Sequence, residues 1–401
     1  MQSFEESSMM SEKKENVLIV HNYYQIPGGE DTVVANEKEM LENHGHKTVL
    51  YSRNNSELQK LSKIKKCMLP FSTIFNIRTY RDIKNLIREE KIDVVHVHNT
   101  LNLVSPAVYY AAQACEIPVV QTIHNFRLVC PGATFYRDNH ICEDCVTNGL
   151  TCAIKHNCYR NSKIQTMACV VNAWIHRFFR IYEKLNYICL TEFNREKLLQ
   201  LKQIKKEKVF VKPNFVQEAE TIVSYDKRKN QFVYVGRLDQ LKGIDFLLET
   251  WKDIPFDDYR LIICGAGPLE EWCRQYVMNN QLKNVEIKGF VDNKTARNII
   301  GESKALVLPT RWYEGFPMTI VESYSVGTPV IGSDIGNVGS LIENEKSGWK
   351  FVTNSKTDLI KAFEKARSAK DGLTDEIICR YSEEKNYEQL RKIYETCCNH
   401  H

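Results

Sequence analysis

Phe232-Val233-Tyr234-Val235-Gly236-Arg237-Leu238-Asp239-Gln240-Leu241-Lys242-Gly243 decides how the rest of the chain is read. An apolar run ends in a glycine turn, two cations follow, and a helical pattern opens near Gly243. A short buried strand, a turn and a helix form the repeating unit of a parallel sheet wrapped by helices. The same alternation extends in both directions. Downstream, strands are predicted at Arg260–Cys264, Val285–Lys288, Ala305–Pro309 and Pro329–Gly332, with helices beginning near Leu269, Lys294, Phe316 and Lys356. Upstream, strands are predicted at Val17–His21, Thr48–Tyr51, Asp93–His98, Val119–His124, Tyr187–Leu190 and Val209–Val211. Helices lie between them at Glu30–Asn43, Tyr80–Glu90, Ser105–Cys115 and Asn194–Leu201.

The alternation pauses after Lys212-Pro213-Asn214 in a polar stretch and restarts at Gln231. The expected organisation is therefore a leader at 1–15, a first α/β domain at 16–214 with a cysteine-rich insertion at 127–161, and a linker at 215–230. A second α/β domain follows at 231–381, and a final helix at 382–401 either extends it or crosses back to the first. A chain of 401 residues is long enough for two such cores.

Composition narrows the function classes. Hydrophobic residues at 43% and charged residues at 26% are globular values, and a net charge of +4 leaves no global footprint for nucleic acid. No run reaches about 18 uncharged apolar residues, and no basic segment precedes an apolar one at the N-terminus. With 14 cysteines and no such segment, a reducing, cytoplasmic setting is expected, with thiols free or bound to metal.

Ligands of open α/β sheets bind beyond the carboxyl ends of the strands, so polar residues just after predicted strands are the first candidates. After Ala305–Pro309 comes Glu314-Gly315-Phe316-Pro317-Met318-Thr319-Ile320-Val321-Glu322. The start of its helix offers backbone N–H groups around Pro317, Met318 and Thr319 to an anion, and a diphosphate fits there. Glu314 is placed to accept hydrogen bonds from sugar hydroxyls, and Glu322 to hold both hydroxyls of a ribose. A capped surface helix with solvated glutamates is the plainer alternative. Arg237 and Lys242, brought to the same edge, are suited to neutralise a departing diphosphate without a metal. Cys264-Gly265-Ala266-Gly267-Pro268 has the same strand-to-turn character and suits close approach of a nucleotide.

Together these residues resemble glycosyltransferase family 4. The likeness runs over nearly all of the chain after Asn16 and is sharpest in Gly236–Gly243, Glu314–Glu322 and Gly327-Thr328-Pro329-Val330-Ile331. The resemblance implies the GT-B architecture, two Rossmann-like parallel-sheet domains facing each other across a cleft. It also implies retaining transfer of a hexosyl or N-acetylhexosaminyl group from a UDP- or GDP-sugar, with Gly236 and Gly315 in the donor loops. In such enzymes the acceptor attacks from the face the nucleotide leaves, and a diphosphate oxygen helps to remove its proton. For the first domain the resemblance assigns Gly28 and Gly29 to a loop approaching the diphosphate and the sugar, and His124 to the transferred sugar. Pro317 departs from the family, many of whose members have a glycine or another small residue there, and it lacks an N–H.

Cys130, Cys142, Cys145, Cys152 and Cys158 fall within 29 residues. Cys142-Glu143-Asp144-Cys145 has the spacing of half a zinc site, and His140 and His156 are further candidate ligands. The resemblance favours Cys130, Cys142, Cys145 and Cys158, through Cys-Pro, Cys-x-x-Cys and Cys-Tyr-Arg elements shared with some relatives. A structural zinc would order a loop short of apolar residues; free thiols or disulfides are the alternatives.

Between Arg53 and Arg88 nine Lys or Arg stand against two acidic residues, interleaved with Leu69, Phe71, Ile74, Phe75 and Ile77. Such a segment suits an anionic membrane surface and a lipid-linked acceptor glycan; a solvated basic helix is the alternative. Ala173–Arg180, with Trp174, Phe178 and Phe179, is a candidate second patch. Three functions are carried forward: a transferase acting on a lipid-linked or cell-surface glycan precursor, one acting on a soluble small molecule, and a catalytically silent nucleotide-sugar-binding protein.

Overall fold

The computed structural model describes residues 14–25, 28–60, 62–217, 219 and 221–399. Residues 1–13 of the expected leader and Glu218 and Glu220 of the expected linker lie outside the described residues.

Two six-stranded sheets carry the fold. The first is built from β1 (Asn16–Tyr23), β2 (Lys47–Asn54), β3 (Val94–Val97), β4 (Val119–Ile123), β7 (Asn186–Cys189) and β8 (Val209–Val211), in the order β2-β1-β3-β4-β7-β8. A hairpin of β5 (Tyr136–Arg137) and β6 (His140–Ile141) lies in the cysteine-rich insertion. The second sheet contains β9 (Gln231–Val235), β10 (Arg260–Cys264), β11 (Val285–Gly289), β12 (Ala305–Leu308), β13 (Val330–Ser333) and β14 (Gly348–Phe351), in the order β11-β10-β9-β12-β13-β14. Strands β1–β2, β1–β3, β3–β4 and all five neighbouring pairs of the second sheet run parallel.

The inner parallel strands are buried on both faces, which explains their apolar runs. In the second sheet Phe232, Tyr234, Leu261, Ile263 and Val307 pack into one core with Trp251 and Phe363. The alternate residues Val233, Ile262, Leu306 and Val330 pack into another with Ile320 and Tyr324. This is the period-two pattern of a strand with helices on either side, and each fully buried large side chain contributes about 1.5–3 kcal/mol.

Contacts divide the chain into two compact units. Of the described residues, the first holds those up to Thr122, Ile175–Tyr187 and those from Leu390 onward, and the second holds those in Ile123–Trp174 and Ile188–Gln389. The cysteine-rich insertion is thus grouped with the second sheet. In that sheet the chain winds outward from β9 in both directions, so the order reverses between β9 and β12. A doubly wound sheet binds its ligand beyond the strand ends at such a reversal.

Candidate active site at the carboxyl ends of β9 and β12

The turn after β9 is shaped by close backbone approach. A Cβ at Gly265 (φ +146°) would lie 1.9 Å from the Gly236 carbonyl oxygen, and one at Gly243 (φ +68°) 1.9 Å from that of Pro309. The Gly236 N–H donates to the Cys264 carbonyl at 3.1 Å and the Leu238 N–H to that of Ala266 at 3.0 Å. Packing therefore requires Gly265 whatever its part in ligand binding. The Asp239 carboxylate accepts the Lys242 N–H at 3.0 Å, closing the turn that presents Lys242.

Lys242 and Glu314 meet there. The Lys242 Nζ lies 2.6 and 2.8 Å from the two Glu314 carboxylate oxygens, with 28% of the lysine and 8% of the glutamate side chain exposed. Arg237, on the same turn, is mostly exposed, and its Nε lies 3.3 Å from the Asp239 carboxylate.

The Glu314–Gly315 backbone is held by polar side chains that the sequence reading did not single out. Buried Asn337 brings its Nδ2 within 2.6 Å of both the Glu314 and Gly315 carbonyl oxygens and of Asn194 Oδ1, so at least one of its N–H bonds is shared. Asn194 Nδ2 donates to the Gly315 carbonyl at 2.8 Å, and Thr191 hydrogen-bonds Asn337 while capping the helix Glu192–Leu199. Their signal in the sequence is position alone, since Asn337 follows β13 and Thr191 follows β7. A Cβ on Gly315 would lie 2.1 Å from the His124 carbonyl oxygen. The fold therefore brings His124, just past β4, against the Glu314 loop.

Helix Met318–Ser325 begins with Pro317 as its N-cap, in an extended conformation. Met318 and Thr319 supply first-turn N–H groups that no helical carbonyl can accept, and Phe316 precedes the cap. Glu322 accepts a hydrogen bond from Asn293 Nδ2 at 2.8 Å. Burial pushes its carboxyl above the ordinary range, opposed by the Asn293 hydrogen bond and the charge of Arg297. In the first unit Gly28 caps helix Gly29–Asn43, and a Cβ there would meet nothing within 4 Å. Packing does not account for that glycine.

In the insertion, Cys130 Sγ and the Cys158 Cβ both flank Gly132, within 3.7 Å of where its Cβ would stand. Burial and then the neighbouring thiols of Cys130, Cys158 and Cys152 push Cys145 up to about 12; burial with Cys130 and Cys142 pushes Cys158 up to about 11. Arg137 donates to Cys142 Sγ at 3.2 Å. Among the described residues, ligand atoms come within 4.8 Å as a group of three only at buried Glu37, His96 and His98. Those two imidazoles stack with centroids 4.4 Å apart and 29° between planes, and both His96 nitrogens lie 2.7 Å from hydroxyls, of Tyr394 and Thr122. A metal must lie in the plane of each ring it binds, so this cluster is read as a buried hydrogen-bond network.

Comparison with known proteins places this fold among the glycosyltransferases. The glycosyltransferase family 4 model matches residues 27–220 and the model of glycosyl transferases group 1 matches residues 216–378. The chain belongs to the glycosyltransferases these two models describe. It is 25% identical over 343 residues to an uncharacterized 41.2 kDa protein in the cps region of Klebsiella pneumoniae, covering 82% of this chain and 84% of that one. It is also 25% identical over 312 residues to the Escherichia coli UDP-Gal:alpha-D-GlcNAc-diphosphoundecaprenol alpha-1,3-galactosyltransferase, covering 72% and 71%. Among solved structures, the lipopolysaccharide outer core galactosyltransferase WaaB superposes with a TM-score of 0.66 at 17% identity, over 95% of this chain and 99% of that one. Anabaena HepE in complex with UDP and glucose gives 0.62 at 13% identity, over 95% and 100%. The structural likenesses establish the two-sheet GT-B fold.

Proposed function

We propose that this glycosyltransferase moves a hexosyl or N-acetylhexosaminyl group from a UDP- or GDP-sugar, with retention at the anomeric carbon, onto a lipid-linked or cell-surface glycan precursor. The observation that carries the reading is the Lys242–Glu314 pair at the reversal between β9 and β12, beside the start of helix Met318–Ser325. When the bond from sugar to diphosphate breaks, negative charge grows on the departing oxygen. Lys242, Arg237 and the first-turn amides of Met318 and Thr319 stabilise that charge, so no donor-site metal is needed. Glu314 holds sugar hydroxyls and fixes the lysine ammonium, Glu322 holds the ribose, and His124 and the Gly28–Gly29 loop serve the transferred sugar and the diphosphate. The E. coli relative uses UDP-galactose and a diphosphoundecaprenol acceptor by its name, which favours a UDP-sugar and a lipid carrier here.

Surface chemistry supports a lipid-linked acceptor over a soluble one. Met68, Phe71, Ile77, Phe178 and Phe179 are exposed, each by more than half. His176, at the end of helix Lys163–Phe178, bonds the carbonyl of Ile74, at the end of helix Lys63–Ile74, which joins the two patches. With the basic residues of that segment they suit an anionic cytoplasmic membrane face. No described helix is long and apolar enough to cross a membrane. The insertion thiols are proposed to hold a structural zinc through Cys130, Cys142, Cys145 and Cys158. Cys130 and Cys158 flank Gly132 together, which supports this, and ligation requires the sulfurs to close up further.

Calorimetry of two variants tests the site. Glu322→Gln weakens binding of the free nucleoside diphosphate, whereas Glu314→Gln leaves it nearly intact and impairs use of the sugar. Equal weakening by both overturns the assignment.

A further inference from the structure

We infer that Lys197, acting with Glu143 and Tyr313, positions the Glu314 loop, so that the cysteine-rich insertion braces the transfer site. The inference rests on the proposed role of Glu314. Tyr313 immediately precedes Glu314, and Glu143 stands between Cys142 and Cys145. The Lys197 Nζ lies 2.6 Å from the Glu143 carboxylate and 5.3 Å from the ring centroids of both Phe193 and Tyr313, with Phe135 at 5.9 Å. Only 14% of the lysine side chain is exposed. The Tyr313 hydroxyl donates to the same Glu143 carboxylate at 3.3 Å. Its ring packs edge-on against Phe193 at 4.8 Å, Phe135 at 6.2 Å and Phe126 at 6.4 Å.

A cation among aromatic faces with a carboxylate behind it fixes all its partners at once. Phe193 and Lys197 sit four residues apart and share one face of helix Glu192–Leu199. The same helix supplies Asn194, which bonds the Gly315 carbonyl. One short helix thus holds the loop on both sides of Glu314, by Asn194 after it and by Lys197 through Tyr313 before it. Lys197 touches no reacting atom in this account and is a positioning residue.

The test uses the full-length protein with Lys197→Ala, Lys197→Arg, Tyr313→Phe and, as a reference, Glu314→Gln. Hydrogen exchange is followed by mass spectrometry, UDP binding by calorimetry, and UDP release from UDP-galactose by steady-state kinetics. Lys197→Ala is expected to speed exchange in residues 311–316 and to lower kcat about 10- to 100-fold, the cost of a displaced catalytic group. Its UDP affinity stays within about twofold, because the nucleotide contacts lie on other residues. Lys197→Arg restores most of the rate, and Tyr313→Phe, which keeps the ring, shows a smaller loss in the same direction. Unchanged exchange in residues 311–316 overturns the brace, as does a loss of UDP affinity parallel to the loss of kcat. Normal turnover of Glu314→Gln, with exchange altered in Lys197→Ala, instead overturns the role of Glu314 and leaves the brace standing.

Discussion

Lys242 and Glu314 stand 72 positions apart and share two hydrogen bonds. Each was singled out in the sequence because each follows a strand at the carboxyl edge of a parallel sheet. That they pair directly was not, since spacing within either segment says nothing about distance between them. Asn194 and Asn337 were missed for the same reason, because a buried asparagine looks like a turn residue until its carbonyl partners are known. Lys242→Ala should lower kcat on the order of 100-fold, about 2.7 kcal/mol of transition-state stabilisation, with a much smaller change in donor affinity. Unchanged turnover in steady-state kinetics removes Lys242 from the mechanism. His176 gives a stability prediction. Its ring is buried and bonded by Tyr110 and the Ile74 carbonyl, and burial lowers its pKa from 6.5 to about 4. Between those values the unfolded chain takes up a proton that the folded chain does not. Stability is therefore complete above pH 6.5 and falls toward pH 4, by up to about 3 kcal/mol from this one group. Burial lowers His21 and His46 as well. His176→Gln should shrink the difference in Tm between pH 7 and pH 4.5 without abolishing it; an unchanged difference contradicts the assignment.

Among the elements, β1, β3, β4, β9, β12 and β13 were legible because they are buried runs of ordinary length, and β8 and β10 have the expected bounds. Strand β14 was missed: it has four residues and opens on Gly348, whose Cβ would lie 1.9 Å from the Val330 carbonyl oxygen. The β5–β6 hairpin has two residues per strand and leaves no periodicity to read. Helix Lys63–Ile74 carries Pro70 inside it, and a proline in a basic run argues against a helix from sequence alone. The insertion was legible as a candidate metal element from Cys-x-x-Cys spacing, while its packing on Tyr313 depended on aromatic contacts across the chain. Replacing Cys142 and Cys145 with Ser should release one zinc per chain, lower thermal stability and open the loop to protease, with nucleotide affinity in the folded fraction little changed. Four thiolate ligands leave no position for substrate, so the effect is structural. Elemental analysis finding no metal, together with freely titrating thiols at these positions, contradicts the zinc site.

At the scale of the molecule, the doubly wound order of the second sheet turns a list of motif residues into a site. Strands β9 and β12 are neighbours only because the chain crosses over the sheet between them, and the two ends carry Lys242 and Glu314 to one edge. The sequence supports the alternation of strands and helices, but strand order depends on which crossovers pack best and is not written in any one segment. The fold alone does not select donor base, sugar or acceptor, because function resides in the particular side chains a fold carries. The most direct test of the account is proton NMR of the transfer reaction in EDTA, with UDP- and GDP-sugars offered alongside lipid-linked acceptors. The account predicts that one donor releases its nucleoside diphosphate without added metal and that the new glycosidic bond keeps the donor's anomeric configuration. An inverted product, or turnover that requires a divalent ion at the donor, would contradict it.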